Sequence, residues 1–211
     1  MPQAARARSF AAFERELSQQ ERFFQVMDQQ APPFELSDPN GHSAGLAELR
    51  GKVIVLNFIY TLCPDICPLE SERVAAIQRM VNPTKLRDQV RFVSITADPV
   101  RDTPPVMKAY GAQHGLDPAN WIFLTSGADH PDTAVALSRA YHNRFLREAD
   151  GSITHGVIFH VIDGAGRWRG NFHGLDWKPE RLVMLMTELA NHDHAGKEPS
   201  SSFWKRITDL L

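Results

Sequence analysis

Cysteine is nearly absent from this 211-residue chain, which contains only Cys63 and Cys67. Two cysteines cannot build the disulfide framework of a small secreted scaffold, and they cannot by themselves supply a four-thiolate zinc site. A chain of this length buries enough surface to fold without covalent cross-links. We therefore expect the cysteine pair to serve a function and not to be required for folding.

Long hydrophobic runs are also missing. The longest apolar stretch, from Val53 to Cys63, is interrupted by Asn57 and Thr61, and it is shorter than the ~20 residues needed to span a bilayer. Residues 1–13 contain no apolar core of the kind found in signal peptides. We expect a soluble chain, with any export signal or membrane anchor lying outside this sequence.

A strong excess of charge of either sign is absent as well. The formal net charge is -2, so no strong electrostatic attraction to nucleic acid is expected. The chain does contain nine histidines, a mild excess. Imidazole is a common metal ligand, so this excess matters if the chain binds a metal.

The order of apolar segments predicts an α/β protein with a mixed central sheet flanked by helices. The continuous apolar run at 53–60 is typical of a strand that is covered on both faces. Further strands are predicted at 34–36, 90–97 and 121–125, with a hairpin formed by 156–162 and 168–173. Helices are predicted at 9–29, 68–81, 132–143 and 179–191.

This pattern divides the chain into three parts. Residues 1–30 are predicted to form an N-terminal helical extension, and residues 31–191 the central α/β domain. Residues 192–211 are predicted to be a flexible polar linker followed by a short amphipathic tail that contains Phe203, Trp204 and Ile207.

The cysteine pair follows the predicted central strand, where an α/β protein exposes its chemistry. Pro64 favours an extended conformation at Cys63, which places Cys63 in the loop before a helix. Pro68 suits the first turn of that helix, where no amide donor is needed. Both sulfur atoms are then expected near a helix N-terminus, where the helix dipole lowers thiol pKa values.

The spacing of the pair leaves three interpretations open. A Cys-x-x-Cys reductase motif and a Cys-x-x-Cys-His haem site do not match, because three residues separate Cys63 from Cys67 and Pro68 follows the second cysteine. The pair can be a dithiol that needs a third metal ligand, or a redox dithiol. It can also be a purely structural disulfide, although a disulfide that closes so short a loop would add little stability.

His155 is the candidate third ligand. Two thiolates and one imidazole make a soft set of donors that suits copper. His155 stands just before a predicted strand, so a loop could bring it to the cysteines. From spacing alone, a histidine at such a position is more often a surface or capped residue than a ligand.

Three motifs together resemble the Sco/SenC family. They are the segment from Gly51 to Phe58 that leads to Cys-Pro-Asp-Ile-Cys-Pro, the Asp-Pro-x-Arg-Asp-Thr-Pro segment at 98–104, and a histidine eight residues before Asp163. The resemblance runs from about 34 to 191. It implies a thioredoxin-like fold and a copper ion held by Cys63, Cys67 and His155.

The resemblance also implies a function. Sco/SenC proteins help to assemble the binuclear copper site of cytochrome c oxidase, so the expected partner is the copper-bearing oxidase subunit. The expected location is the periplasm or the periplasmic face of the inner membrane, and the family's membrane anchor is absent from this chain. A thiol reductant or thioredoxin-like protein is a further expected partner, because an oxidised dithiol cannot bind the metal.

The activity remains open between three hypotheses. The favoured one is a metallochaperone that delivers copper by ligand exchange. The alternative is a thiol-disulfide oxidoreductase that uses Cys63 and Cys67 to keep the target's copper-ligand cysteines reduced, and the third is an interaction module with a fixed disulfide. His155 separates the first two, because a reductase does not need it.

Several other residues have structural interpretations. Asp98, Arg101 and Asp102 are expected to cap a helix and to pair with one another, and Asp65 to be a solvated acid in the first turn of a helix. His160 on a strand and His173 at a strand end are poorer ligand candidates than His155. His192 and His194 resemble an opportunistic metal-binding segment in a flexible tail. The family's histidine usually follows an acidic residue, whereas Thr154 and Gly156 flank His155 here, so the imidazole is expected to lack a carboxylate that orients it.

Overall fold

The computed structural model describes residues 9–148 and 153–195, with only the backbone described at Arg147 and at residues 193–195. Ten strands and five α-helices are found in these ranges. The strands are β1 (Phe24–Gln30), β2 (Glu35–Ser37), β3 (Ser43–Gly45), β4 (Val53–Ile59), β5 (Val90–Thr96), β6 (Trp121–Leu124), β7 (Phe145–Arg147), β8 (Ile153–His155), β9 (Ile158–Ile162) and β10 (Arg167–His173). The helices are α1 (Phe10–Gln20), α2 (Ile66–Val81), α3 (Pro104–Gln113), α4 (Pro131–Ala140) and α5 (Pro179–Ala195), and a short 3-10 helix spans Lys85–Asp88.

The central sheet has six strands in the order β1-β10-β9-β4-β5-β6. β4 pairs in parallel with β5 and antiparallel with β9, so the sheet is mixed as predicted. Every residue of β4 is buried, which explains why its sequence is almost continuously apolar. The carboxyl ends of β4 and β5 lie at the same edge of the sheet, and that edge carries the cysteine loop.

The prediction of one helix over residues 9–29 is wrong beyond Gln20. Residues 24–30 form β1, an edge strand that pairs antiparallel with β10. Phe24 and Met27 have helical spacing, but the ring of Phe24 packs on Phe172 with ring centroids 4.9 Å apart. It also covers Gly170, where an added Cβ would lie 2.3 Å from the Phe24 ring. Backbone pairing with an open sheet edge therefore outweighs the local helical pattern.

The first helix, α1, packs into the core. Phe13 and Leu17 of α1 are almost fully buried in the main hydrophobic cluster. α1 packs against α5, and α5 packs against α2 and β4. The predicted tail at Phe203, Trp204 and Ile207 lies outside the described residues. None of the helices in the described ranges combines the length and the apolar character needed to cross a bilayer.

Candidate metal centre

The two cysteines lie where the chain leaves β4 and enters α2. Cys63 is in the connecting loop and Cys67 is in the first turn of α2, as predicted. The N–H of Cys67 donates to Sγ of Cys63 over 3.4 Å. The N-cap residue, Asp65, is exposed and makes no capping hydrogen bond with its side chain. The sulfur of Cys63 therefore takes up a helix N–H that an N-cap side chain would otherwise satisfy.

The position at the helix start changes the acidity of the Cys63 thiol. Burial raises the pKa of this thiol, but hydrogen bonds from the backbone N–H groups of Cys67, Asp65 and Ile66 outweigh burial and leave the pKa below its usual value. These donors stabilise the thiolate, which is the form that binds metals and attacks disulfides. The predicted effect of the helix N-terminus is found at Cys63.

The prediction of a lowered thiol pKa is wrong for Cys67. This residue has no exposed surface, and burial raises the pKa of its thiol far above the usual value, with a further contribution from the nearby carboxyl of Glu70. Desolvation disfavours a thiolate more strongly than the first turn of α2 favours it. The pair is therefore asymmetric, with a lowered pKa at the Cys63 thiol and a raised pKa at the Cys67 thiol.

Glu70 is a buried acid that the sequence analysis did not single out. Its side chain has no exposed surface. One carboxyl oxygen is 3.5 Å from Nδ2 of Asn57, and the other has no hydrogen-bond partner among the described residues. Burial raises the pKa of Glu70 well above its usual value. The sequence did contain a signal that Glu70 lies near Cys67, because residues three apart on a helix share one face.

His155 reaches the cysteines from a small hairpin. It is the last residue of β8, which pairs with β7, so that His155 lies opposite Phe145. Nε2 of His155 is 3.2 Å from Sγ of Cys67. The ligand atoms of Cys63, Cys67 and His155 all lie within 4.8 Å of one another. The structure thus brings together the three residues that the sequence analysis selected, although the β7–β8 hairpin itself was not predicted.

The ring of His155 is oriented by the backbone and not by a carboxylate. Nδ1 lies 3.1 Å from the carbonyl oxygen of Gly156. A carbonyl accepts only, so Nδ1 carries the proton and Nε2 presents its lone pair to Cys67. Burial lowers the pKa of His155, while the hydrogen bond to Gly156 opposes this effect. The imidazole is therefore held neutral and available as a ligand, and the carbonyl of Gly156 provides the orientation that the flanking sequence lacks.

The donor set fits a soft, low-coordinate metal ion. Two sulfur atoms and one imidazole nitrogen converge at the edge of the sheet, and no other group of His, Cys, Asp and Glu side chains in the described ranges is arranged to hold a metal. Thiolate and imidazole ligands favour copper over hard ions such as magnesium or calcium.

The Asp98, Arg101 and Asp102 motif supports the loop. Arg101 pairs with Asp98, as predicted, but Thr103 occupies the N-cap of α3. The carboxylate of Asp102 accepts from the N–H of Thr61 at 3.2 Å and from the hydroxyl of Thr96. It therefore ties the loop after β4 to the loop after β5.

None of the other histidines whose side chains are described joins this centre. Nε2 of His173 lies 3.0 Å from Oε1 of Gln25, and the ring of His192 contacts the ring of Phe10. The side chain of His194 is outside the described part of the chain. His160 is completely buried, and its Nδ1 lies 2.8 Å from Oδ1 of Asn171.

His160 makes the fold sensitive to acid. Burial lowers the pKa of His160 to about 3, so between pH 6.5 and 3 the unfolded chain binds a proton that the folded protein excludes. Stability must therefore fall as the pH drops below 6.5, by about 2–3 kcal/mol at pH 4.5. Denaturant unfolding at both pH values measures this loss.

Two variants control this prediction. His160→Gln should lose much of the pH dependence, and His130→Gln, which changes an exposed histidine, should keep it. The lowered pKa values of His155 and His173 also reduce stability at acid pH. The free energy of unfolding of His160→Gln should therefore still depend on pH, but with a smaller slope. Equal slopes in wild type and His160→Gln would contradict the assignment.

Comparisons with known proteins agree with this geometry. A sequence model of the SCO1/SenC family matches residues 25–191. The chain belongs to the SCO1/SenC family. An SCO2-like protein of Rickettsia prowazekii is 31% identical over 156 residues, which cover 72% of this chain and 73% of that protein.

Solved structures of family members share the fold. A SCO1/SenC family lipoprotein from Bacillus anthracis is 27% identical and superposes with a TM-score of 0.72, covering 79% of this chain and 98% of that one. ScoI of Bradyrhizobium japonicum, solved with copper bound, is 28% identical with a TM-score of 0.62 and covers 76% and 99% of the two chains. The predicted thioredoxin-like architecture of this SCO1/SenC protein is therefore confirmed.

Proposed function

We propose that this protein binds copper through Cys63, Cys67 and His155 and delivers it to the binuclear copper site of cytochrome c oxidase. The observation that carries the proposal is the convergence of the three donor atoms within 4.8 Å. The copper-bound relative from Bradyrhizobium japonicum supports the choice of metal. We place the protein in the periplasm or on its membrane face, and the family relative that is a lipoprotein supports an anchored location.

The asymmetry of the thiols suits the transfer of copper by ligand exchange. Cys63 retains slight exposure and Cys67 has none, so an incoming thiolate from the acceptor can compete first for the Cys63 position. The buried thiol of Cys67 and the imidazole of His155 hold the ion meanwhile. Exchange between shared soft ligands avoids release of the ion to water.

A transfer experiment tests the proposal. Protein loaded with Cu(I) is mixed with the copper-free soluble domain of the oxidase subunit that carries the binuclear site, and copper on each protein is measured after separation. Transfer faster than release to buffer supports delivery. In a parallel reaction, the copper-free protein is mixed with the oxidised acceptor domain. If copper stays on the donor in the first reaction and the acceptor becomes reduced in the second, the delivery function is wrong.

The asymmetry also favours a second candidate, a thiol-disulfide oxidoreductase. A thiol with a lowered pKa at Cys63 and a buried partner with a raised pKa at Cys67 suit attack and resolution in disulfide exchange. The reaction would pass through a mixed disulfide at Cys63, which Cys67 then resolves. A reductant or thioredoxin-like protein would have to reduce the pair again.

His155→Ala distinguishes the two candidates. We expect copper affinity to fall at least about tenfold, because one of three ligands is lost. The reduction potential of the dithiol should change by less than about 30 mV, because His155 is proposed as a metal ligand. Competition with a copper chelator and redox titration measure these quantities.

His173→Ala is the matched control, since it removes another strand-end histidine with a polar partner. This variant should alter neither the copper affinity nor the reduction potential of the dithiol. Unchanged copper affinity together with a large shift of the potential in His155→Ala would favour the oxidoreductase instead.

A further inference from the structure

Tyr60 connects the cysteine loop with the hairpin that carries His155. It directly follows β4 and is 3% exposed. Its carbonyl oxygen accepts a hydrogen bond from the N–H of Cys63 over 3.3 Å. Its ring meets the ring of His155 edge-on, with centroids 6.0 Å apart. One residue thus contacts both sides of the centre.

The hydroxyl of Tyr60 makes two hydrogen bonds to one residue of β8. It donates to the carbonyl oxygen of Ile153 at 3.1 Å and accepts from the N–H of Ile153 at 3.4 Å. Ile153 is two residues before His155 on the same short strand. Side chains two apart on a strand point to the same face, so the backbone position of Ile153 sets where the imidazole lies.

The hairpin needs such an anchor. β7 and β8 have three residues each and pair with no other strand in the described ranges. A two-stranded hairpin is at best marginally stable by itself. Phe145 provides an apolar anchor by packing against Phe58, but such packing is not directional. The two hydrogen bonds of Tyr60 fix the position of β8 relative to the cysteine loop.

We propose that Tyr60 is a positioning residue whose hydroxyl holds β8 so that Nε2 of His155 stays within reach of Cys67. The proposal rests on the proposed role of His155 as a copper ligand. Tyr60 itself contributes no ligand. Its hydroxyl acts on the metal through Ile153 and the backbone of β8, beside a direct interaction with the Cys63 thiol.

The test is a double-mutant cycle between Tyr60→Phe and His155→Ala. Tyr60→Phe keeps the ring and removes the hydroxyl, and we expect Cu(I) affinity to fall about three- to tenfold. In the His155→Ala background, Tyr60→Phe should cause a clearly smaller loss, because the part that acts through His155 is already gone. Chelator competition measures all four affinities. An unchanged affinity in Tyr60→Phe, or the same loss in both backgrounds, overturns the proposal.

Tyr141→Phe is the matched control. Tyr141 is also buried, and its hydroxyl donates to the carbonyl oxygen of Pro32 over 2.9 Å. Its ring lies tilted against that of the buried His160, with centroids 5.2 Å apart. It touches none of the three proposed ligands through any hydrogen bond found in the described residues. Removal of this hydroxyl should leave copper affinity unchanged. An equal loss of affinity in Tyr141→Phe would show a general effect of weakened packing and would overturn the specific role of Tyr60.

A copper-free measurement separates this proposal from the proposed function. Amide hydrogen exchange of the apo-protein should show the N–H of Ile153 exchanging about tenfold faster in Tyr60→Phe than in wild type, because its acceptor is gone. Unchanged exchange at Ile153 overturns the positioning role even if copper binds. If wild type binds no copper while exchange at Ile153 rises as expected, the proposed function fails and the anchoring of β8 stands.

Discussion

Replacement of both cysteines by serine is expected to reduce copper binding from about one ion per chain to none. Serine keeps the size of the side chain but offers a hydroxyl that neither ionises near neutral pH nor matches a soft ion. His155 would be the only donor left in the centre, and one imidazole does not hold copper against a competing chelator. Titration of reduced Cys63→Ser/Cys67→Ser with Cu(I), and separately with Cu(II), measures the loss.

The control removes His192 and His194, which could bind copper opportunistically. Both wild type and the double serine variant should be titrated with His192→Ala/His194→Ala in place. Equal copper uptake by the two proteins in that background would show that the cysteines are not the ligands.

The two single variants should not be equivalent. Cys67→Ser leaves the thiol whose pKa is lowered, at Cys63, whereas Cys63→Ser leaves the buried thiol whose pKa is raised. Because a proton must leave before the metal binds, residual copper binding at neutral pH should be stronger in Cys67→Ser. The difference should shrink as the pH rises.

Oxidation to a Cys63–Cys67 disulfide is expected to abolish copper binding completely. A disulfide offers no thiolate, and the sulfur atoms of the two cysteines lie within 4.8 Å of each other. The bare dithiol would be trapped in this form in an oxidising compartment. Copper loading should therefore depend on a reductant, and addition of one should restore about one ion per chain.

The measurement compares copper uptake by the fully oxidised apo-protein before and after a thiol reductant is added. A thiol assay must first show that no free thiols remain. Cys63→Ser/Cys67→Ser treated in the same way serves as the control, because the oxidant should not change its copper uptake. Undiminished binding by the oxidised protein would remove both cysteines from the site.

The sequence was sufficient for the parts of the fold that are locally encoded. β4 is an almost continuous apolar run, and the residues after it carry Pro64 and Pro68 at positions that suit a loop and a helix start. The identification of the third ligand depended on the family resemblance. Nothing in the sequence near His155 indicates that it lies beside Cys67, which is 88 residues earlier.

The strand β1 and the β7–β8 pair could not be predicted from the sequence, because their stability depends on tertiary contacts. β1 has the apolar spacing of a helix and becomes a strand only because β10 offers an open edge over Gly170. β7 and β8 are too short for a periodic signal, and their place is set by contacts with Tyr60 and Phe58. In both cases the deciding partner is distant along the chain.

The raised pKa of Cys67 could not be read from the sequence for a similar reason. The start of a helix predicts a lowered thiol pKa, and a glutamate on a helix usually lies in solvent. Burial of both Cys67 and Glu70 under the sheet edge reverses the expectation for Cys67. Burial of this kind depends on what packs on top of the helix, which local spacing does not reveal.

The separation of the ligands along the chain gives the ion a second effect. Cys67 and His155 are 88 residues apart, so an ion bound to both would close a large loop as a cross-link does. By thermodynamic linkage the loaded protein should resist heat and protease better than the empty one. Conversely, transfer of the ion to an acceptor leaves the β7–β8 hairpin held only by its packing on Phe58 and by the hydrogen bonds of Tyr60. The two forms of the protein should therefore differ in how tightly this hairpin is held.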